Sequence, residues 1–417
     1  MRTKIWLFGI LGMLAVWSCD TASSIDPPEN SFFVKFYGAN GNQEGVDAVL
    51  NADGTITLFG TTEVGGIKQL YLVNIDQNGT VIWENTIVTP TAATAKDIEL
   101  TNDGRLAIVA DVKDGSGTND VLIMTLTLTG VEIVRDTVSF KISGQDTDEV
   151  ANSITQTSDG FIVSGSTSNT ELDPQTGDIR DAMLLRFSDN LVELTPLMGS
   201  WGQTSGQGLE DIATKTFLIS IPSRPEVESI IFGSTDLGGN FNFYFDPIGY
   251  FGESTNPIVI NVATTSEILT SAISVPVQSG DGYLLGGVSK SATSTDIFIV
   301  KLRKSLELQF QKTLSVDLGP TSADMVTVYA PSTSGFLILA NDKSSGVQNF
   351  YLNKIDNGGS VVWPNPIIFG GELDDEVGAV MELPDGSIGI IGTFAIGADG
   401  EKKMTFIKVN REGKFSK

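Results

Sequence analysis

The chain has 417 residues, of which 51 are acidic and 26 are basic, and its formal net charge is −25. Such an acidic chain repels phosphate backbones, which argues against a nucleic-acid partner. It contains no histidine and one cysteine, Cys19, so Ser-His-Asp and Cys-His catalysis are excluded and the commonest zinc ligand is missing. The side chains left for acid–base or calcium chemistry are carboxylates.

The first residues of the chain predict export. Arg2 and Lys4 form a positive start, and residues 5–17 form an apolar stretch that is too short to span a bilayer as a mature helix. An ordinary signal peptide followed by a chance cysteine is one interpretation of this segment.

A second interpretation rests on a resemblance, because the apolar stretch ends in Val16-Trp17-Ser18-Cys19, which resembles the lipobox of bacterial lipoproteins. The resemblance implies that residues 1–18 are a signal peptide and that Cys19 carries the palmitate-type acyl chains. It also implies a lipid anchor in the outer membrane, on the cell surface. Residues 19–31 are polar and contain two prolines, so we expect a flexible tether.

The remaining chain repeats one unit seven times. Each unit has an acidic start, an apolar strand that ends on a small residue, a second apolar strand and a polar turn. We call the small residue the marker residue; it recurs at Gly60, Ala110, Gly165, Gly233, Gly287, Ala340 and Gly392. Periods near 50 residues are typical of propellers. Asp-Gly pairs such as Asp53-Gly54 precede most of these strands and predict tight hairpins.

The two ends of the chain predict how the array closes. The seventh unit stops after residues 406–413 with no fourth strand, whereas residues 32–38 form an orphan strand that resembles the end of a fourth strand. We therefore predict an all-β, seven-bladed β-propeller of four-stranded antiparallel blades over residues 32–417. The N-terminal strand completes the last blade and places Phe33 and Val34 beside Ile407. No sustained 3.6-residue period occurs, so helix should be nearly absent.

Several segments carry a second resemblance. Residues 148–167 and the strands around Trp83 and Trp363 resemble the propeller repeats of surface lipoproteins and secreted proteins of Bacteroidota. The resemblance covers residues 32–413, and it implies a propeller in the cell envelope without a catalytic motif.

Acidic residues recur at the start of the units: Glu44, Asp148, Glu149, Glu210, Glu267, Asp324, Asp375 and Glu376. Their recurrence favours a structural role, in which one carboxylate per blade accepts backbone N–H groups. Two acidic clusters, residues 372–376 and residues 145–149, are denser than their counterparts, and either could bind a calcium ion. The candidate ligands are Asp374, Asp375 and Glu376. No other cofactor is expected.

The fourth unit departs from the pattern and supplies the candidate ligand-binding residues Trp201, Tyr244 and Tyr250. Aromatic side chains beside Asn and Asp suit a sugar or a protein partner. The alternative is that Phe241, Phe243 and Phe245 form one buried strand face beside a longer loop.

These features predict a non-enzymatic lipoprotein that acts as an interaction or accessory subunit of an outer-membrane protein complex. The alternative is a surface glycan-binding protein that uses the aromatic residues of the fourth unit. A glycosidase is a third hypothesis, because it needs only two carboxylates about 5–10 Å apart.

Overall fold

The computed structural model describes residues 32–142, 144–168, 180–198, 208–220, 224–250, 254, 257–260, 265–277, 280–316, 327–329 and 335–416. Residues Phe32–Lys417 belong to one compact unit. The predicted signal peptide, the lipidated Cys19, the tether, Trp201 and Asp324 lie outside the described residues.

Seven four-stranded antiparallel sheets form the blades of a β-propeller, so the predicted fold is confirmed. Blade 1 consists of β2 (Gln43–Leu50), β3 (Ile56–Val64), β4 (Ile67–Ile75) and β5 (Val81–Ile87). Blade 2 consists of β6 (Ala93–Leu100), β7 (Leu106–Lys113), β8 (Asn119–Leu126) and β9 (Glu132–Val138). Blade 3 consists of β12 (Glu149–Gln156), β13 (Gly160–Thr167), β14 (Asp181–Ser188) and β15 (Glu193–Met198). A two-stranded ribbon between blades 2 and 3 consists of β10 (Lys141–Ile142) and β11 (Gln145–Asp146).

Blade 4 consists of β16 (Gly208–Leu218), β17 (Val227–Leu237), β18 (Phe241–Gly249) and β19 (Ile258–Ile260). Blade 5 consists of β20 (Ser266–Val275), β21 (Gly282–Lys290), β22 (Thr295–Arg303) and β23 (Leu308–Leu314). Blade 6 consists of β24 (Thr327–Tyr329), β25 (Phe336–Asp342), β26 (Asn349–Ile355) and β27 (Ile367–Phe369). Blade 7 consists of β28 (Glu376–Glu382), β29 (Ile388–Ile396), β30 (Glu401–Val409) and β1 (Phe33–Tyr37). The described ranges contain no α-helix, and thus none of a length and apolarity that would cross a membrane.

Ring closure follows the predicted register. Strand β1 pairs antiparallel with β30, and Val34 lies opposite Ile407 while Phe33 lies opposite Lys408. The rings of Phe33 and Phe406 pack with 6.2 Å between their centroids. The N-terminal strand therefore covers an edge of β30 that would otherwise be open.

The core lies between neighbouring blades, because each blade is covered on both faces. Phe59 and Leu72 of blade 1 share one buried cluster with Ile108 and Met124 of blade 2. This two-sided burial explains why the second and third strands of each unit are almost continuously apolar, whereas a sheet with one solvated face would alternate.

The marker residues lie in the middle of the second strand of each blade rather than at its end. A Cβ on Gly165 would lie 2.0 Å from the backbone oxygen of Val150, in the innermost strand of the same blade. Glycine is needed here because two backbones of one blade approach closely. In some blades the marker residue also approaches the adjacent blade, since a Cβ on Gly287 of blade 5 would meet the Phe243 ring of blade 4 at 2.8 Å.

A β-bulge lies opposite the marker residue in six innermost strands. The inserted residues are Val46, Lys96, Asn152, Thr214, Thr270 and the pair Gly378-Ala379. A bulge bends the strand and redirects a side chain.

Neighbouring blades are joined by one recurring hydrogen bond. The residue after the marker accepts the N–H of the residue before the bulge in the next blade. The pairs are Thr61 with Ala95, Asp111 with Ala151, Ser234 with Leu269, Asn341 with Val377 and Thr393 with Gly45, at 2.8–3.1 Å.

Candidate functional site

The innermost strands enclose a pocket of about 440 Å³, which we call the axial pocket. It is lined mainly by the bulge residues and the residues that follow them: Val46, Asp47, Lys96, Asp97, Asn152, Ser153, Thr214, Lys215, Thr270, Ser271, Gly378 and Ala379. The bulges therefore bring polar side chains from distant parts of the chain into one cavity.

Four charged or titratable side chains form the axial centre, which we define as Asp47, Asp97, Glu99 and Lys215. Lys215 reaches from blade 4 to blade 2, where its Nζ lies 2.7 Å from Asp97 Oδ2. That oxygen also accepts the N–H of Ile154 at 2.8 Å. Asp97 is thus held by an ammonium group and a backbone donor together.

Asp47 is hydrogen-bonded to Asp97. Its Oδ1 accepts the N–H of Ala48 at 2.8 Å, and its Oδ2 accepts the N–H of Ile98 in blade 2 at 3.2 Å. Burial, followed by the charge of Asp97, raises the pKa of Asp47 well above its ordinary value. This shift favours the neutral form of Asp47, because two adjacent buried carboxyl groups resist ionising together.

Glu99 lies two residues after Asp97 on the same face of β6. Its Oε2 accepts the N–H of Gln156 at 3.0 Å. Burial raises the pKa of Glu99 to about 7, with a further contribution from the charge of Asp97, while the Lys215 ammonium opposes the shift. Burial alone would lower the pKa of Lys215, but its carboxylate neighbours raise it. The axial centre thus combines the ammonium group of Lys215 with two carboxyl groups, Asp47 and Glu99, whose pKa values are raised by burial.

A second ion pair lies at the wall of the axial pocket. Lys96 Nζ lies 2.9 Å from Asp111 Oδ2, and the other oxygen of this carboxylate accepts the N–H of Ala151. Lys96 therefore reaches the pocket from a bulge in blade 2 while its partner joins blade 2 to blade 3.

Of the aromatic residues predicted to bind a ligand, Tyr244 and Tyr250 lie in different surroundings, and Trp201 lies outside the described residues. Tyr244 is completely buried within the blades, and burial raises its pKa well above the ordinary value, so this burial does not fit the predicted stacking role. Phe243 and Phe245 are also buried, as in the structural alternative, whereas Phe241 at the start of β18 is half-buried. Tyr250 is 43% exposed, stacks 4.0 Å from the Arg186 guanidinium and donates to Asp159 Oδ2 at 3.1 Å.

The predicted calcium ligands have separate partners. Asp374 Oδ1 accepts the N–H of Gln348 at 2.8 Å, and Asp375 Oδ1 accepts the N–H of Ala395 at 2.9 Å. Glu376 lies 3.5 Å from Lys402 Nζ. No group of three or more acidic or other metal-binding side chains converges within the described part of the chain. These contacts fit the structural role that recurrence favoured.

The axial centre was not among the predicted sites. The sequence does carry a signal for two of its members, since Asp47 and Asp97 each stand seven residues before the glycine of an Asp-Gly turn. Lys215 gave no such signal, because its contact with Asp97 joins residues 118 positions apart.

No family model and no curated protein matches the chain. Among solved structures, it is similar to the Penicillium chrysogenum α-L-arabinanase complexed with arabinobiose, at 13% identity over 75% of this chain and 92% of that chain, with a TM-score of 0.49. It is also similar to the Hadza microbial sialidase Hz136, at 13% identity over 83% and 74% of the two chains, with a TM-score of 0.46. A glucose dehydrogenase matches at 11% identity over 91% and 99%, with a TM-score of 0.44.

The prediction that the chain is not an enzyme is contradicted, because these three similar structures are named as an arabinanase, a sialidase and a glucose dehydrogenase. At these identities the likeness is one of fold and assigns no substrate or reaction to this chain.

Proposed function

We propose that the axial pocket is the active site of a carboxylate-dependent hydrolase that acts on a small substrate of the glycoside class. The observation that carries the proposal is the contact of Lys215 with Asp97 beside the hydrogen-bonded carboxyl group of Asp47, whose pKa burial raises, in a pocket of about 440 Å³. Glycoside hydrolysis suits a chain without histidine, because two carboxyl groups are sufficient for it.

The walls of the pocket are compatible with a sugar ring. Lys96, Asn152 and Thr214 offer polar groups to the pocket, while Ala272 and Ala379 offer small apolar surfaces. A sugar likewise presents hydroxyl groups at its edge and C–H groups on its faces. The polar groups would orient the ring by hydrogen bonds, as in most small-molecule sites.

The roles of the carboxyl groups follow from their protonation. Asp47, held neutral, would donate its proton to the leaving glycosidic oxygen. Glu99, when ionised, would accept a proton from the water whose oxygen adds to the anomeric carbon. Asp47 and Asp97 are hydrogen-bonded to each other and so lie closer than the separation of about 5–10 Å between acid and base in glycosidases. We therefore assign the base to Glu99 and a positioning role to Asp97 and Lys215.

The test is hydrolysis of a panel of chromogenic aryl glycosides by the wild-type chain, Asp47→Asn, Glu99→Gln and the exposed control Asp399→Asn. Loss of a general acid or base should reduce kcat by about 10²–10⁴-fold, while the control retains wild-type rates. Activity should rise with pH as Glu99 ionises near pH 7, and Glu99→Gln should lack this rise. A wild-type chain that hydrolyses no member of the panel, or Asp47→Asn at the wild-type rate, would contradict the proposal.

We also propose that the chain is anchored through Cys19 to the outer membrane, where a membrane protein complex is its expected partner. The lipobox-like residues Val16 to Cys19 support the anchor. Metabolic labelling with a palmitate analogue should mark the wild-type chain but not Cys19→Ser. Equal labelling of both would refute the anchor without touching the proposal for the axial pocket.

A further inference from the structure

The exposed apolar side chains of the ring collect at one of its two ends. Each blade is entered by its first strand and left by its fourth strand at the same end, which we call the connection face. The turns between first and second strands and between third and fourth strands lie at the other end, which we call the turn face. The exposed aliphatic side chains of the turn face are Val81, Ile82, Val131, Ile133, Val192, Leu218, Val277, Leu308, Val361 and Val362.

The distribution of these side chains between the two faces is uneven. Blades 1 to 6 each contribute to the turn face, and the valines at 131, 192 and 277 are 60%, 62% and 76% exposed. Among the described residues, the exposed aliphatic side chains of the connection face are Val64, Ile67 and Val88, from blade 1 and its link to blade 2. Exposed apolar side chains that recur on one face mark a surface that binds something.

The N-terminal segment joins the ring at the turn face. Strand β1 pairs antiparallel with β30, and Phe33 lies opposite Lys408, next to the end of β30 at Val409. A Cβ on Gly79, in the turn between the third and fourth strands of blade 1, would lie 2.6 Å from the Phe33 ring. The chain that leads back to Cys19 therefore leaves the ring from the turn face.

We propose that the turn face lies against the lipid bilayer in which Cys19 is anchored, with its aliphatic side chains at the boundary between headgroups and acyl chains. This inference rests on the anchor proposed above. The chain from Cys19 to Phe32 can span no more than about 45 Å, so an anchored ring stays within reach of the membrane. The contact then needs little affinity of its own, because the tether keeps the bilayer at a high effective concentration.

The layout of the turn face suits a bilayer better than a protein partner. A stable protein interface concentrates its apolar residues in one core that a polar rim surrounds. The aliphatic side chains here are instead spread over six blades at one end of a ring. A bilayer surface is broad enough to meet all of them at once, and its binding strength grows with the apolar area that leaves the water.

The charges of the turn face favour a zwitterionic lipid surface. Two of its carboxylates are ion-paired within the ring: Asp103 Oδ2 lies 2.7 Å from Arg105 Nε, and Asp385 Oδ2 lies 3.0 Å from Lys408 Nζ. The chain as a whole nevertheless carries a formal charge of −25. An anionic bilayer would repel it, whereas a bilayer of neutral phospholipids leaves the apolar contact unopposed.

The test places a fluorescent probe on each face of the full lipidated chain. A nitrobenzoxadiazole dye is attached through Val131→Cys or Val192→Cys on the turn face, or through the controls Val64→Cys or Val88→Cys on the connection face, where exposure is similar. Each variant is reconstituted in phosphatidylcholine vesicles that contain a nitroxide-labelled phosphatidylcholine. The dye on the turn face should lose most of its emission to the nitroxide, and the dye on the connection face should keep it.

Two results would overturn the docking face: equal quenching on both faces, and quenching on neither. The second result is also expected if the face binds a protein, because the vesicles hold only this chain and lipid. The wild type reports on the anchor separately. Its one cysteine is Cys19, whose thiol is blocked by acylation, so it should take up no dye. Labelled wild type would refute the anchor, and this proposal with it, without touching the axial pocket.

Discussion

At the scale of single residues, the axial centre is governed by the shortage of positive charge. One ammonium group, Lys215, serves three carboxyl groups, Asp47, Asp97 and Glu99. Removing one partner of a buried ion pair is far more costly than the pair is stabilising. Asp97 is paired with Lys215, burial favours the neutral form of Asp47, and burial raises the pKa of Glu99 to about 7.

The marker glycines provide the test at this scale. Valine in Gly165→Val would bring its Cβ to 2.0 Å from the Val150 oxygen, and the innermost strand would have to move. We expect a loss of about 1–3 kcal/mol in the free energy of unfolding, the usual range for overpacking, measured by denaturant titration. Gly115→Ala is the control, because nothing lies within 4 Å of its Cβ position. Equal stability of both variants would show that the close approach is not the reason for the glycine.

At the scale of secondary-structure elements, the blades are held in register by hydrogen bonds as well as by apolar packing. Apolar contacts are non-directional, so they favour the packing of two blades without fixing the position of one sheet along the other. The hydrogen bond that the residue after the marker accepts from the innermost strand of the next blade is directional. It recurs at five junctions and includes the closing one, where the Gly45 N–H donates to Thr393 Oγ1 at 3.0 Å.

Replacement of Thr393 measures how much the hydrogen bond from the Gly45 N–H contributes to the stability of the protein. Thr393→Val keeps the shape of the side chain but leaves the buried Gly45 N–H without its acceptor, which costs about 1–3 kcal/mol. Thr393→Ser keeps the hydroxyl group and should lose less. Thermal unfolding of the two variants separates them, and a serine variant as unstable as the valine variant would attribute the effect to the lost methyl group.

At the scale of the whole molecule, the ring depends on both chain ends. Strand β1 is the outermost strand of blade 7, while β2, only a few residues later, is the innermost strand of blade 1. The first and last blades are therefore tied together by the covalent chain and by the β1–β30 ladder. Opening the ring would expose the edge of β30 and the apolar faces of two blades.

A chain that begins at residue 40 should therefore lose its sharp unfolding transition or aggregate. A chain that begins at residue 32 keeps β1 and serves as the control. Differential scanning calorimetry and light scattering provide the measurement. If the shorter chain melted as cooperatively as the control, the N-terminal strand would not be what closes the ring.

The sequence by itself determined the architecture, because its signals are local or periodic. Hairpin turns, apolar strands and a spacing near 50 residues do not depend on distant contacts, and the missing fourth strand of the last unit could be matched to residues 32–38. The burial of Phe243 and Phe245 also followed from the strand pattern.

Only the tertiary structure decided the rest. Tyr244 is buried because a propeller blade is covered on both faces, so strand alternation leaves no side for solvent. The acids at Asp374 to Glu376 turn to different partners instead of converging on a cation. The axial centre joins Asp97 to Lys215 across 118 positions, a contact that exists only once the ring brings the bulges of separate blades to a common axis.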